Sequence, residues 1–506
     1  MEYFATMATQ EYTQIYGEYT SVSIEDSDDE ALAKSMEARL HYDSPLSAEC
    51  CIFKIPEVFR RQNQKAYEPD VIAIGPFHRG KQSLKPIEDV KQWYLLTLLS
   101  RLNISMLSLV KGIKGYEKNA RDCYQGPIRL DQNEFIDMLI VDGCFLVELF
   151  RKETVFELRT GDDPIFNMSC MYEFFLHDLL LLENQLPWFV LQHLFALTGG
   201  NDHDHSSSSF TELVLHFFRH NFPQTSPSIS TSRLHAKNLH IVDLIRNVLT
   251  SLSQDDQSDY PVPVSYYVPE THQSDQSDQS DQSDQHDQSD YPYDYYVPET
   301  HQSDQRDQSD YTDLRIPHVP ARPQPLSARP QLIPCVTKLM EAGVKFTKSS
   351  SDNMMDIKFE DGSFKIPLLF INETTESIFR NLIAFEQCYH RCDDKITSYA
   401  ILMDNLINTG KDVEKLSDEG IIDNWLSAED ASQYFNRLYN DTFVINFYYN
   451  DLCKKVNKYY RTDWHRWRAI LMRDYFTTPW TIISLVGAFI LLVLTFLQTS
   501  FTIKQS

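Results

Sequence analysis

The chain has 506 residues, 42% hydrophobic and 12% aromatic, with a formal net charge of -26 at pH 7. That apolar content supports a sizeable core and excludes a chain disordered throughout, while the length exceeds one ordinary domain. Much of the negative charge sits between Ser251 and Gln331, and the absence of any basic domain argues against nucleic acid as a partner.

Residues 1–47 carry Glu2, Glu11, Glu18, Glu25, Asp26, Asp28 and Asp29 without an apolar run, so they read as a disordered acidic arm, not a secretory or transit peptide. Residues 48–250 read as the first half of a helical body. Within it VIAIG at 71–75 is the one convincing strand, bounded by Pro69 and Pro76. Leu95, Leu98, Leu99 and Leu102 mark one helical face after Pro86, and Asp131 with Glu134 forms a capping box ahead of FIDMLIVDGCFLVELF. A third long apolar helix is predicted from about Met168 to Leu197.

Residues 251–333 form a QSDQ and Pro-rich linker in which YYVPETHQSDQ occurs at 266–276 and again at 295–305. Gln, Ser and Asp have almost nothing to bury, so this stretch is expected to be disordered. The body resumes over 334–474 with a helix containing Val336, Leu339 and Met340, then a hairpin near 354–370 turning at Asp361 and Gly362. Tyr399, Leu402, Met403 and Leu406 fit another helical face, and Ser427 with Asp430 caps a further helix. The fold class is therefore mainly α with a minor hairpin and short strands, and the two halves are expected to pack as one body.

No charged residue occurs between Asp474 and Lys504, and residues 475–503 read as a transmembrane anchor. The roughly 24 residues from Trp480 span on the order of 36 Å as a helix, enough for a hydrocarbon core of about 30 Å. Trp480, Phe489, Leu492, Leu494 and Phe496 would face lipid. Ahead of them Lys454, Lys455, Lys458, Arg461, Trp464, Arg466, Trp467, Arg468 and Arg473 form a basic aromatic collar suited to the interface. With only Lys504 beyond the anchor, the positive-inside rule places the bulk of the chain in the cytoplasm, single-pass and tail-anchored. Sequons at Asn103, Asn167, Asn372 and Asn440 are then chance occurrences.

Signals of catalysis are sparse. GPFHRGKQ at 75–82 has the spacing of a phosphate loop, but Gln82 stands where a Ser or Thr would hold magnesium and Pro76 lacks an amide donor. There is no nucleophile elbow, HExxH, paired CxxC or Gly-rich dinucleotide fingerprint. His203 and His205 read as solvated loop residues, and the nine scattered cysteines as reduced, mostly core thiols, since Cys388 and Cys392 lack a second ligand pair. Asp142 in VDGCF and Glu183, Asn184 and Gln185 before Pro187 interrupt strongly apolar runs. Such groups are costly to bury unpaired, so they are expected to satisfy helix ends or loose backbone. No catalytic, cofactor-binding or metal-ligating residue is assigned.

Several segments together resemble a plant family called domain of unknown function 247, also known as uncharacterised protein family 0481. They are IPEVFR at 55–60, VIAIGPFHRGK at 71–81, MLIVDGCFLVELF at 138–150, DLLLLENQLPWFVL at 178–191, LMEAGVKF at 339–346, DIKFEDGSFKIPLLFINETTESIFRNLIAFEQC at 356–388, and the terminal anchor. The resemblance implies a plant source, one family domain over roughly 50–495, a C-terminal transmembrane helix and no established activity. It makes Gly75, Pro76, Asp142, Glu183, Asn184, Gln185 and Pro187 family-motif positions of structural role. Association of some relatives with self-incompatibility in grasses suggests recognition. The expected function is a membrane-anchored, non-enzymatic module that binds an unidentified protein and needs no cofactor; the alternative is a membrane-tethered hydrolase or nucleotide-binding enzyme.

Overall fold

In the computed structural model the described residues are 22–40, 44, 46–168, 170–199, 209–219, 222, 238–250, 332–462, 467 and 479–505. The QSDQ repeats, His203, His205, Trp464, Arg466, Arg468 and Arg473 lie outside them. All described residues fall within one compact unit, and they are mainly helical.

The first half is built around α4 (Gln132–Thr154), which starts at the Asp131–Glu134 capping box. Every residue from Met138 to Lys152 is buried, because a helix this apolar on all sides must be enclosed on all sides. Its neighbours are α2 (Lys85–Leu102), α3 (Met106–Lys114), α6 (Trp188–Leu197) and α7 (Phe210–Phe218). Leu95 and Leu98 of α2 are buried, with Leu99 and Leu102 packed at the edge of the same core. α1 (Val22–Glu37) lies in the stretch expected as a disordered arm: its SIEDSDDEALAKSME sequence lacks Gly and Pro and is rich in helix formers, although residues 29–37 bury nothing.

Two further expectations for this half are corrected. Residues 71–75 belong to no strand; their hydrogen-bonding groups are claimed by side chains, as described below. The single helix expected from Met168 to Leu197 is two, α5 (Met171–Leu179) and α6, separated by LLLENQLP. Pro187, with its fixed φ and no amide, sits at the N-cap of α6, and the polar ENQ triplet is committed elsewhere.

α8 (Ile241–Thr250) closes the first half, and after the linker Ile333 is already buried, with its amide donating to Asn405 Oδ1 at 3.2 Å. α9 (Val336–Glu341) leads into β1 (Lys345–Lys348), followed by β2 (Lys358–Glu360) and β3 (Ser363–Ile366). The expected hairpin is β2 against β3, antiparallel around Asp361 (φ 49°) and Gly362 (φ 76°), the two left-handed residues of a type I′ turn. It is shorter than its hydrophobic pattern implied. β1 joins β3 in parallel, and β4 (Leu369–Ile371) leaves the hairpin to pair in parallel with β5 (Ile422–Asn424). Around these strands pack α10 (Thr375–Cys388), α11 (Lys395–Leu406), α12 (Gly410–Asp418), α13 (Ala428–Leu438) and α14 (Asn450–Tyr460). Tyr399, Leu402, Met403 and Leu406 are all buried, and Ser427 caps α13 by accepting from the Asp430 amide.

The halves are joined through polar contacts. Asn381 of α10 accepts from the Leu182 amide at 2.9 Å and donates to Ala66 O at 2.8 Å; Arg246 of α8 pairs with Glu386 of α10 at 2.9 Å. Beyond them α15 (Pro479–Gln505) is one continuous apolar helix.

Candidate functional site

The polar residues that interrupt the apolar runs converge on one stretch of backbone, residues 70–75. Asp178, at the end of α5 and fully buried, accepts from the amides of Asp70, Val71 and Ile72, each at 2.8 Å. Asn184 accepts from the Ile74 amide at 2.6 Å and donates to Ile72 O at 3.0 Å. Asp142, at the centre of α4, takes the Gly75 amide at 2.9 Å. Lys91 of α2, itself buried, donates to Ala73 O and to Asp142 Oδ1 at 2.8 Å, which pairs both buried charges. Gly75 is required here: its φ is +75°, and a Cβ would stand 2.6 Å from Gln185 O.

Glu183 performs the same task one layer away. Its carboxylate accepts from the Ile55 amide at 2.7 Å, pairs with Arg60, and lies 3.2 Å from His78 Nε2. Burial pushes this carboxyl up, but the bonds from His78, Arg60 and Ile55 outweigh it and hold the group below the usual carboxylate range. Gln185 donates to Leu179 O and Leu181 O and accepts from the Ile241 amide at 3.1 Å, which orders the turn before Pro187 and the start of α8. Tyr124 Oη donates to Gln185 O at 3.0 Å. Asp142, Glu183, Asn184 and Gln185 thus form one buried lattice, whose acceptors and donors are occupied by the chain's own backbone and by the side chains of Lys91, Arg60 and His78.

Sequence reasoning missed Asp178, Lys91 and His78 as members of this lattice. Asp178, followed by four leucines, carries the same signal as Asp142, a carboxylate set in an apolar run; Lys91 is an unremarked basic residue on a helix that looks amphipathic. His78 is buried, and its Nδ1 has no hydrogen-bond partner among the described residues. Asp70, His177 and Asp178 could place three donor atoms within 4.8 Å of one another. Both Asp178 oxygens are already engaged by amides and by His177 Nδ1 at 2.8 Å, so a metal ion would have to displace those bonds.

The phosphate-loop look-alike does not have phosphate-loop geometry. Pro76 and the residues after it run from the lattice to a 3-10 turn at Gln82–Leu84, and the helix opens only at Lys85. Lys81, half-exposed, lies 3.7 Å from Glu68. A cavity of about 210 Å³ elsewhere is lined by Leu249, Leu369, Ile378, Phe379, Lys348 and Asp352, with no His or Cys in its wall among the described residues. The nine cysteines are all free thiols, and five are buried.

At the C-terminal end, Lys454, Lys455, Lys458 and Arg461 occur on α14 and its C-cap, while Cys453 and Val456 on the other side are buried. Trp467 is exposed, as are Phe489, Leu492, Leu494 and Phe496 of α15; Trp480 lies in the first turn of that helix. The stretch Val486–Lys504 is long and apolar enough to cross a membrane, and none of it is buried against the body.

Comparison with known proteins places these features in a wider group. The profile of DUF247, described as plant protein of unknown function, matches residues 52–494. A UPF0481 protein of Arabidopsis thaliana is 28% identical over 479 residues, covering 93% of this chain and 89% of its own length. A second Arabidopsis thaliana protein bearing the UPF0481 name is 23% identical over 504 residues, covering 92% of each. No solved structure matches the chain.

Proposed function

Since the chain belongs to the plant DUF247 family, whose function is unknown, we propose a role from its own residues: a membrane-anchored, non-enzymatic protein-recognition module with its helical body on the cytoplasmic side. The observation that carries this reading is α15, 27 residues of apolar helix whose Val486–Lys504 stretch is not buried against the body. In water such a surface would be costly, at roughly 25 cal/mol for each Å² of apolar area. A bilayer removes that cost. The collar of Lys and Arg ahead of it supports the cytoplasmic orientation.

Recognition rather than catalysis is supported by what the polar residues do. The buried Asp142, Asp178, Glu183, Asn184, Gln185 and Lys91 are engaged in holding backbone, whereas large aromatic side chains remain at the surface. Trp425 is 73% exposed, edge-on to Phe370 at 5.7 Å, and Phe443 is 66% exposed. Exposed Trp and Phe on a rigid scaffold are the residues from which protein interfaces draw most of their affinity.

The full chain, expressed with an N-terminal epitope in plant microsomes, tests the anchor. The expected result is retention after carbonate extraction and digestion of the body by added protease in sealed vesicles. Release by carbonate, or a protease-protected body, overturns it. For the recognition role, a partner retained by the wild type should be lost with Trp425→Ser or Phe443→Ser while the melting temperature is unchanged. Stabilisation of the body by a nucleotide, abolished by Lys81→Ala, would instead favour the tethered-enzyme alternative.

A further inference from the structure

We infer that the basic cleft on α14 is a receptor for the phosphate-monoester headgroup of an anionic membrane lipid, such as a phosphorylated inositol lipid. This rests on the anchored reading above and names the lipid that the collar meets. Lys454, Lys458 and Arg461 are spaced four and three residues apart, which sets them on one helical face. With Asn457, Thr462 and Leu332 they line an open cleft of about 610 Å³. The walls are fixed: Asn457 Nδ2 donates to Leu332 O at 3.0 Å, and Thr462 Oγ1 donates to Lys458 O at 2.9 Å.

Among the described residues, no carboxylate lines the cleft. Lys454 has Asp451 at 2.8 Å on its outer side, whereas Lys458 and Arg461 have no ion-pair partner among the described residues. The partial negative charge at a helix C-terminus favours one cation in the last turn. It does not account for three converging on a cleft whose described lining holds no acid. Two compact ammonium groups and a planar guanidinium are the set that recognises a phosphate dianion, the lysines as point charges and the arginine through paired N–H donors.

Charge distribution favours a lipid as the source. The chain as a whole carries -26, yet residues 454–473 contain seven Lys or Arg against one acid, Asp463. Seventeen residues separate Arg461 from Pro479, where α15 begins. Even fully extended, such a tether reaches only about 60 Å, so anchoring holds the cleft at a high effective concentration of headgroups and lets a weak site be occupied.

The test uses the full chain reconstituted in vesicles of phosphatidylcholine alone, phosphatidylcholine with phosphatidylserine, or phosphatidylcholine with phosphatidylinositol bisphosphate. The readout is protection of Lys454 and Lys458 from amine acetylation, with exposed Lys411 as reference. Protection is expected with the bisphosphate lipid and not with phosphatidylcholine, and it should weaken as salt is raised. Arg461→Gln should raise the bisphosphate lipid needed for half-protection about fivefold, the loss of one cation near an anionic surface, while Lys455→Gln, outside the cleft lining, leaves it unchanged. Equal protection by phosphatidylserine at matched charge overturns the phosphate-monoester assignment. Equal protection by soluble inositol phosphate or inorganic phosphate over phosphatidylcholine vesicles overturns the lipid source, and no protection in any vesicle overturns the site. Carbonate release of the chain would overturn the anchor instead, and it is scored separately from the acetylation pattern.

Discussion

Asn184 holds Ile72 as a neighbouring strand would: its side-chain nitrogen donates to Ile72 O at 3.0 Å, and its side-chain oxygen takes the amide two residues on, at Ile74, at 2.6 Å. One side chain therefore supplies the donor and the acceptor of a β-ladder rung. With Asp178 on one side and Asp142 on the other, five of the six amides from Asp70 to Gly75 are bonded to side chains.

Asp178→Ala removes the acceptor for three of those amides. Only the Ile72 amide is buried, those of Asp70 and Val71 being part-buried; a buried amide left unsatisfied costs about 1–3 kcal/mol, so the variant should lose about that much stability. A fall in the urea midpoint at unchanged slope is the expected signature, and a shift close to zero would mean that water replaces the carboxylate.

Gly75 and Gly80 both have positive φ, 75° and 86°, but only Gly75 faces a backbone oxygen at 2.6 Å from a built Cβ; nothing lies within 4 Å at Gly80. Gly80→Ala should cost about 1 kcal/mol, from backbone conformation alone. Gly75→Ala adds displacement of the Gln185 carbonyl and should cost about 3 kcal/mol or more. Melting temperatures of the two variants, measured side by side, check the difference.

His240 is fully buried, its Nε2 3.1 Å from Cys51 O and its Nδ1 accepting the Asp243 amide at 3.1 Å. Burial lowers its pKa from 6.5 to about 3, so it is neutral when folded. Between those values the unfolded chain binds a proton that the folded chain does not. Stability therefore falls as pH drops below 6.5, approaching about 1.4 kcal/mol per pH unit. His240→Gln should flatten the pH dependence of the denaturation midpoint between pH 6.5 and 4.5; below 4.5 the depressed Glu183 carboxyl adds its own acid loss.

Arg246 and Glu386 are both buried and come from opposite sides of the linker. Glu386 also accepts from the amides of Ile396 and Thr397, so it cannot move away if its partner is removed. Arg246→Met should cost about 3–5 kcal/mol, most of it the stranding of a buried carboxylate. Calorimetry should show the loss, and recovery by Arg246→Lys should be partial because the bond to Asp393 O is lost.

Local signals in the sequence were read well where the physics is local. The Asp131–Glu134 box, the Ser427 cap and the Asp361–Gly362 turn all involve residues within four positions of one another, and each marks an observed boundary. The break at 180–187 was hidden because LLLLENQLPW is apolar enough to continue a helix, and only the long-range partners of Glu183, Asn184 and Gln185 show why it does not. VIAIG was misread for a related reason. Its β-branched alternation says extended, which is correct, but it cannot say that the partners are Asp178, Asn184 and Asp142, some seventy to a hundred positions away. The pairing of Leu369–Ile371 with Ile422–Asn424 is equally non-local. As for the collar, its charge is plain in the sequence, while the grouping of Lys454, Lys458 and Arg461 into an open cleft lined also by Leu332 needs the chain just after the linker.

The way residues 71–75 are held bears on how this chain fails. A short, uncharged, β-branched run is the kind of segment that templates cross-β assembly when exposed. In the folded body the amides of Val71, Ile72, Ile74 and Gly75 are already taken by side chains, so no continuous free edge is offered to a second molecule. Any lesion that frees Asp178 or Asn184 would unmask that edge before the rest of the core melts, and aggregation rather than simple unfolding should follow.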